Sequence, residues 1–163
     1  PGLTIECVIE DRPAGTAGSL LQARDRLDEV FSLCNGDTLF DVDIADVAAL
    51  PAEEGWVGKL ALRRIDKSPR YGEITMEGTR ITSFAERGSG GSAIINGGVY
   101  VLRRSLLDYI RNIPCSIEKD IFPSVAGDGR LYGKVYESFF IDIGVPEDLV
   151  RAQQAVPEHM ATG

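Results

Sequence analysis

The sequence predicts an α/β fold built on a mixed β-sheet, and three observations carry that reading. Apolar, strand-like runs at 3–9 and 30–34 alternate with helix-period segments at 15–27 and 44–50, the strand–helix–strand–helix order of a sheet covered by helices. From 56 to 65 the pattern changes to two-residue alternation, and the hairpin signal Glu77-Gly78 follows between 71–76 and 80–86. The last element opens with Pro146, beside Glu147 and Asp148, residue types that suit a helix N-terminus. The sheet is expected to be parallel in its first part, with antiparallel additions later.

Each element has its own local reason. Residues 3–9 are rich in Ile, Val and Cys and read as a strand. Over 15–27, Leu20, Leu21, Ala23 and Leu27 fall on one side of a helix, with Thr16 placed to cap its start. The strand at 30–34 ends at the turn pair Asn35-Gly36, and a short helix over 44–50 stops at Pro51. Asp41 and Asp43 either start that helix or stay solvated. Residues 56–65 alternate as a strand, and 71–76 and 80–86 flank the Glu77-Gly78 hairpin. The flexible run Gly88-Ser89-Gly90-Gly91-Ser92 then leads into the apolar stretch 93–102. Helices are expected at 105–110, 117–125 and 146–156, and strands at 131–136 and 139–141. No internal repeat or interdomain linker interrupts the chain, so one domain is expected over 1–156, followed by a polar tail over 157–163.

Composition narrows the function. At 163 residues and 44% hydrophobic, the chain can bury one sizeable core. A net charge of −8, from 25 acidic and 17 basic residues, argues against a nucleic-acid or anionic-membrane surface. It leaves phosphorylated substrates open, since local amides, metal ions and single cations hold phosphates. Cys7, Cys34 and Cys115 lack paired metal-ligand spacing, and Cys7 and Cys34 read as buried, reduced thiols of a cytoplasmic protein. No apolar run approaches the roughly 18 residues that span a bilayer. The single histidine, His159, falls in the polar tail as a surface residue, so histidine-based acid/base chemistry is not expected.

The stretch Phe31-Ser-Leu-Cys-Asn-Gly-Asp37-Thr-Leu-Phe-Asp-Val-Asp43 carries the first functional signal. An apolar run stops at Asn35-Gly36 and delivers Asp37 just past its end. Carboxylates at the carboxyl ends of strands in open α/β sheets stand where such sheets bind ligands, and two of them together suit Mg²⁺ and phosphate chemistry. Taken alone, Asp37 reads first as a turn or helix-capping aspartate. Two further segments, Glu10-Asp-Arg-Pro-Ala-Gly15-Thr16-Ala17-Gly18 and Phe139-Phe-Ile-Asp142-Ile-Gly144-Val-Pro146, stand in order around it. Together with Tyr71-Gly72, Phe84-Ala-Glu86-Arg87 and Asn96-Gly97-Gly98-Val-Tyr100, this series resembles the sugar-1-phosphate nucleotidyltransferases over nearly the whole chain. Within that family, Asn35 to Asp43, Ser116-Ile-Glu118-Lys119-Asp120 and Ile141 to Asp148 most resemble the D-glycero-D-manno-heptose 1-phosphate and mannose-1-phosphate guanylyltransferases.

The resemblance implies a three-layer αβα, Rossmann-like (GT-A-like) nucleotidyltransferase domain over 1–156. It implies transfer of a nucleoside monophosphate, GMP favoured, from a nucleoside triphosphate to a heptose or mannose 1-phosphate. Pyrophosphate leaves, and the nucleotide sugar serves cell-surface polysaccharide synthesis. The implied cofactor is Mg²⁺, held by Asp37 and Asp142; the implied nucleotide contacts are Glu10, Gly15, Thr16 and Gly36. Tyr71, Gly72, Glu86, Arg87, Asn96 and Gly97 would line the sugar-phosphate pocket. Glu10 reads equally as an ordinary strand-end carboxylate; for Arg87 a solvated strand-end arginine is the competing reading. The family commonly carries Glu-Lys where this chain has Glu86-Arg87, and a guanidinium fork does not replace a compact ammonium. Tyr100, Phe139 and Phe140 read as core, and the 116–123 stretch as a helix supporting the site.

The front of the family pattern is the larger departure. A Gly-Gly-x-Gly-Thr-Arg-Leu loop and a Lys-Pro segment are not found in the sequence, which begins at Pro1. The expectation is an N-terminally incomplete domain, weak or inactive by itself, that exposes apolar surface favouring a homo-oligomer. A non-catalytic, nucleotide-sugar-binding regulatory domain is the alternative.

Overall fold

Six strands assemble into one mixed sheet in the computed structural model, which describes residues 2, 4–66, 72–85 and 91–162. In chain order the elements are α1 (Gly15–Gln22), β1 (Val30–Cys34), β2 (Thr38–Phe40), α2 (Ile44–Ala48), β3 (Gly58–Asp66), β4 (Glu73–Glu77) and β5 (Arg80–Ala85). They continue with β6 (Ser92–Arg103), α3 (Phe122–Gly127), β7 (Leu131–Tyr136), β8 (Phe140–Asp142) and α4 (Pro146–Thr162). The sheet order is β1-β6-β3-β7-β5-β4, while β2 and β8 form a separate antiparallel pair. The mixed α/β class expected from the sequence is what the chain adopts.

Alternation along β3 and β6 decides which helices cover which face. Leu60, Leu62, Tyr100 and Leu102 point to one side, where they meet Ala17 and Leu20 of α1, Leu106 and Leu107, and Ile121, Phe122 and Val125. Ala61, Val99 and Val101 point to the other side, against Val47 of α2, Leu50 and Phe40. Each large side chain fully buried in these layers contributes about 1.5–3 kcal/mol of hydrophobic stabilisation. Two layers of helices and loops therefore sandwich the sheet.

Several local expectations need correction. Residues 4–10 form no strand; Ile5 and Ile9 are 84% and 87% exposed. Strand propensity without a partner ladder leaves the backbone unpaired, and it stays irregular. Cys7 and Cys34 are exposed and only Cys115 is buried; Cys34 lies on an edge strand with alternating burial. The sheet's early part is not parallel: β1 runs antiparallel to β6, and β3 with β7 makes the parallel pair. Arg104–Tyr109 is a 3₁₀ helix, and Ile117–Ile121 is a π-helical turn that continues into α3.

The final helix continues through Pro157 to Thr162, past the end expected at 156, so most of the anticipated polar tail is helical. Pro157 removes one backbone donor, yet the last turns are anchored from outside. The half-buried His159 ring stacks on Phe139 at 4.2 Å and its Nε2 lies 2.9 Å from Asp41 Oδ2. His159 and Asp41 are thus packed against each other rather than separately solvated. Asp43 does start α2, accepting a hydrogen bond from Ala45 N at 2.8 Å. Among the described residues, no helix is long and apolar enough to cross a membrane.

Candidate active site

The β2–β8 pair brings Asp37 and Asp142 together from opposite ends of the sequence. Asp142 stands opposite Thr38, the residue after Asp37. Ile143 N donates to the Asp37 carbonyl at 2.9 Å, and Gly144 N donates to Asp142 Oδ1 at 2.7 Å. Gly144 fills the corner between the two side chains. A Cβ there would stand 3.0 Å from Asp142 Oδ1 and 3.9 Å from Asp37 Oδ2, so both carboxylates face the same small space.

That donor set fits Mg²⁺. The ion takes oxygen ligands and is commonly bound by one or two carboxylates plus substrate phosphates and water. Among the described residues no cluster of three or more His, Cys, Asp or Glu side chains gathers; Asp37 and Asp142 stand as a pair.

Gly15 and Thr16 are shaped first by contact with the 115–117 segment. Gly15 has φ +77°, and a Cβ on it would run into the Cys115 backbone, so only glycine fits there. Ala17 N donates to Cys115 O at 3.0 Å, and Cys115 N to Ala14 O at 2.9 Å. Thr16 is not the N-cap; Ala14 holds that position. The Thr16 hydroxyl oxygen instead accepts from Ile117 N at 2.9 Å. No side chain caps α1; the Glu10 carboxylate lies beside its start, accepting from Ala14 N at 3.3 Å and from the Ser19 hydroxyl. Gly36 differs from Gly15: a Cβ there would meet no atom within 4 Å.

Asn96 and Gly97 sit at an irregularity in the sheet. The β3–β6 register passes from Ala61↔Val99 to Leu62↔Asn96, leaving Gly97 and Gly98 as extra residues in β6. A Cβ on Gly97 would run into the Phe40 ring. Gly98 has φ +74°; its carbonyl accepts from Asn35 N at 2.8 Å, and the Asn35 side chain packs over its Cα. Gly72 lies beside the Ala85 carbonyl at the start of the β4–β5 pair. Tyr71, Glu86 and Arg87 lie outside the described residues.

A polar network that the sequence reading passed over stands behind the Asn35 turn. The Tyr100 ring is fully buried, but its hydroxyl lies 3.1 Å from Glu118 Oε1 and 3.3 Å from Asn35 Oδ1, and accepts from Asn96 Nδ2 at 2.7 Å. Burial above all, and then the Glu118 charge, raise the Tyr100 pKa well above its ordinary value, so the phenol keeps its proton at neutral pH. A tyrosine in an apolar strand signals only that its hydroxyl needs a partner. Its identity becomes visible only once β6 and the π-helical turn are in place.

The chain thus presents a mixed α/β sheet layered with helices, with two carboxylates converging beside a strand-end turn. The model of the nucleotidyl transferase family matches residues 2–159, and the chain belongs to that enzyme family. It is 34% identical over 158 residues to the probable mannose-1-phosphate guanylyltransferase 2 of Oryza sativa subsp. japonica, a match covering 91% of this chain and 43% of that protein. It is also 34% identical over 177 residues to the mannose-1-phosphate guanylyltransferase catalytic subunit beta of Dictyostelium discoideum, covering 99% of this chain and 49% of that one. The chain thus spans about half the length of these curated relatives. Among solved structures, HddC from Yersinia pseudotuberculosis superposes with a TM-score of 0.76 at 28% identity, covering 91% of this chain and 65% of HddC. The same protein complexed with GMP-PN gives a TM-score of 0.75.

Proposed function

We propose that the full-length protein carrying this chain is a Mg²⁺-dependent guanylyltransferase acting on mannose or heptose 1-phosphate. It would work in the cytoplasm to supply nucleotide sugar for cell-surface polysaccharide. The observation that carries this reading is the convergence of Asp37 and Asp142 on Gly144. The names of the guanylyltransferase relatives and the GMP-PN complex of HddC support the choice of nucleotide.

In this reaction a sugar 1-phosphate oxygen attacks the α-phosphorus of GTP. A new P–O bond forms, the bond to the β-phosphate bridge breaks, and pyrophosphate leaves with the electron pair. The nucleophile is already an anion, so the protein need supply no general base. Its task is to bring two polyanions together in line and stabilise the developing charge. Asp37 and Asp142 would hold Mg²⁺, which when bound offsets phosphate charge as a Lewis acid. Gly36, with open space above its Cα, lets substrate approach the backbone of the turn. Gly15 and Thr16 would present α1's first amides to the nucleotide, and Glu10 would hold its base or ribose. Gly72, Asn96 and Gly97, with Tyr71, Glu86 and Arg87, would form the sugar-phosphate side.

Pyrophosphate release by the full-length protein tests this directly, crossing five nucleoside triphosphates with mannose, glucose and heptose 1-phosphates. Turnover confined to GTP with mannose or heptose 1-phosphate is expected. A folded protein silent across the panel would instead point to a nucleotide-sugar-binding regulatory domain.

A further inference from the structure

Residues 115–121 join two parts of the candidate site that are distant in sequence. On one side, Cys115 and Ile117 bond the Ala14 to Ala17 turn through three hydrogen bonds of 2.9–3.0 Å. On the other, Glu118 Oε1 accepts from Asn96 Nδ2 at 2.8 Å, from the Tyr100 hydroxyl at 3.1 Å and from Asn35 Nδ2 at 3.5 Å. Asn35 is two residues before Asp37. Its backbone is already fixed by Gly98 O at 2.8 Å, which leaves its side chain as the variable part of the turn.

We propose that Glu118 is a positioning residue for Asp37, acting through Asn35, Asn96 and Tyr100. This rests on the reading of Asp37 and Asp142 as the divalent-cation pair. A carboxylate only accepts hydrogen bonds. One oxygen at the centre of the network therefore turns the amide nitrogens of both asparagines toward it. Asn96 Oδ1 is then left for Gly98 N at 3.1 Å. The single Tyr100 proton lies between Glu118 Oε1 at 3.1 Å and Asn35 Oδ1 at 3.3 Å. Both amides thus have one orientation. Without an acceptor at 118, both amides lose the partner that sets their rotamers, and the link from the π-helical turn to Asn35 is gone.

Glu118 is itself exposed, so removing it takes no packing from the core. This separates its role from that of a structural residue, and the position of one oxygen rather than the charge is what matters. Partners behind metal ligands typically influence affinity about 10- to 100-fold.

The test is Mn²⁺ binding to this chain, followed by the loss of the free-ion electron paramagnetic resonance signal, with thermal melts run in parallel. The expected pattern is binding by wild type that Asp37→Asn abolishes. Glu118→Ala should bind about tenfold more weakly with an unchanged melt, and Glu118→Gln, which keeps an oxygen in place, should stay within about threefold of wild type. Should Glu118→Ala fail to fold, Tyr100→Phe, which keeps its ring in the core, carries the same prediction of weakened binding. Wild-type affinity in Glu118→Ala, or equal loss in Glu118→Ala and Glu118→Gln, would overturn the positioning role alone. No wild-type binding, or binding indifferent to Asp37→Asn, would overturn the cation-pair reading, and the proposal with it.

Discussion

Asp142 of β8 stands in register with Thr38 of β2, which places the carboxylates of Asp37 and Asp142 on either side of Gly144. More than a hundred residues of sheet and helix lie between the two aspartates in the chain, and a three-residue antiparallel pair brings them together.

Gly144 is the most direct structural probe of this corner. An added Cβ would press on Asp142 Oδ1 at 3.0 Å, closer than ordinary contact, and turn that carboxylate from its place. Gly144→Ala should weaken divalent-cation binding about tenfold while moving the melting temperature by only a few degrees. Calorimetric titration with Mn²⁺ checks it; unchanged affinity would show that the corner is roomier than the geometry implies.

Gly15 and Thr16 should respond through stability. Gly15→Ala forces a side chain into left-handed backbone and against the Cys115 carbonyl, and should cost about 2 kcal/mol or more. Thr16→Val leaves the Ile117 N–H without its acceptor, a loss of about 1–2 kcal/mol. Both appear as lower urea midpoints at constant slope.

Asp46 gives a pH signature. Hydrogen bonds from Lys134 at 2.8 Å and from the Tyr136 hydroxyl at 2.6 Å hold its carboxyl below the usual range, the Lys134 bond being the larger cause. The folded pKa is depressed, so the unfolded chain binds more protons in the window between the two values. The contribution is therefore complete above the unfolded pKa of about 3.9 and disappears as pH falls through the folded one. The stability difference between wild type and Asp46→Asn should shrink on acidification from about pH 5 to about pH 2. A difference constant across that range would remove the carboxylate from the account.

Thiol reactivity checks the packing of the three cysteines. Cys7 and Cys34 are exposed and should react with a disulfide reagent in the native state, whereas buried Cys115 should react only on unfolding. Burial raises the Cys34 pKa, so its rate should be below that of a free thiol. Protection of Cys34 would contradict the exposed position of β1.

Most elements could be read from sequence because their signals are local. Two-residue alternation marked β3; Asp43 marked the start of α2; Glu77-Gly78 marked the turn between β4 and β5. The failures are non-local. An Ile/Val/Cys-rich run at the start of the chain looks like a strand, but a strand exists only where another backbone meets it. Pro157 looks like a stop signal, but Phe139 and Asp41 hold the turn after it. At the site, the Asn35-Gly36-Asp37 and Asp142-Ile143-Gly144 motifs were visible one at a time. Their apposition depended on the β2–β8 pairing, and the network of Glu118 with Asn35, Asn96 and Tyr100 formed only once the irregular β6 strand was in place. Glycines expected as substrate contacts have a packing reason to be glycine, since Gly15 packs on Cys115 and Gly97 on Phe40.

The metal pair is tested most directly by the rate of pyrophosphate release from GTP and mannose or heptose 1-phosphate by the full-length protein, comparing wild type with Asp37→Asn and Asp142→Asn. Each substitution keeps the shape and removes an anionic ligand. Each should lower Mg²⁺-dependent turnover by about a hundredfold or more, equivalent to about 3 kcal/mol of lost transition-state stabilisation, with an unchanged melt. Near-normal rates in either variant would contradict the assignment of that aspartate to the metal.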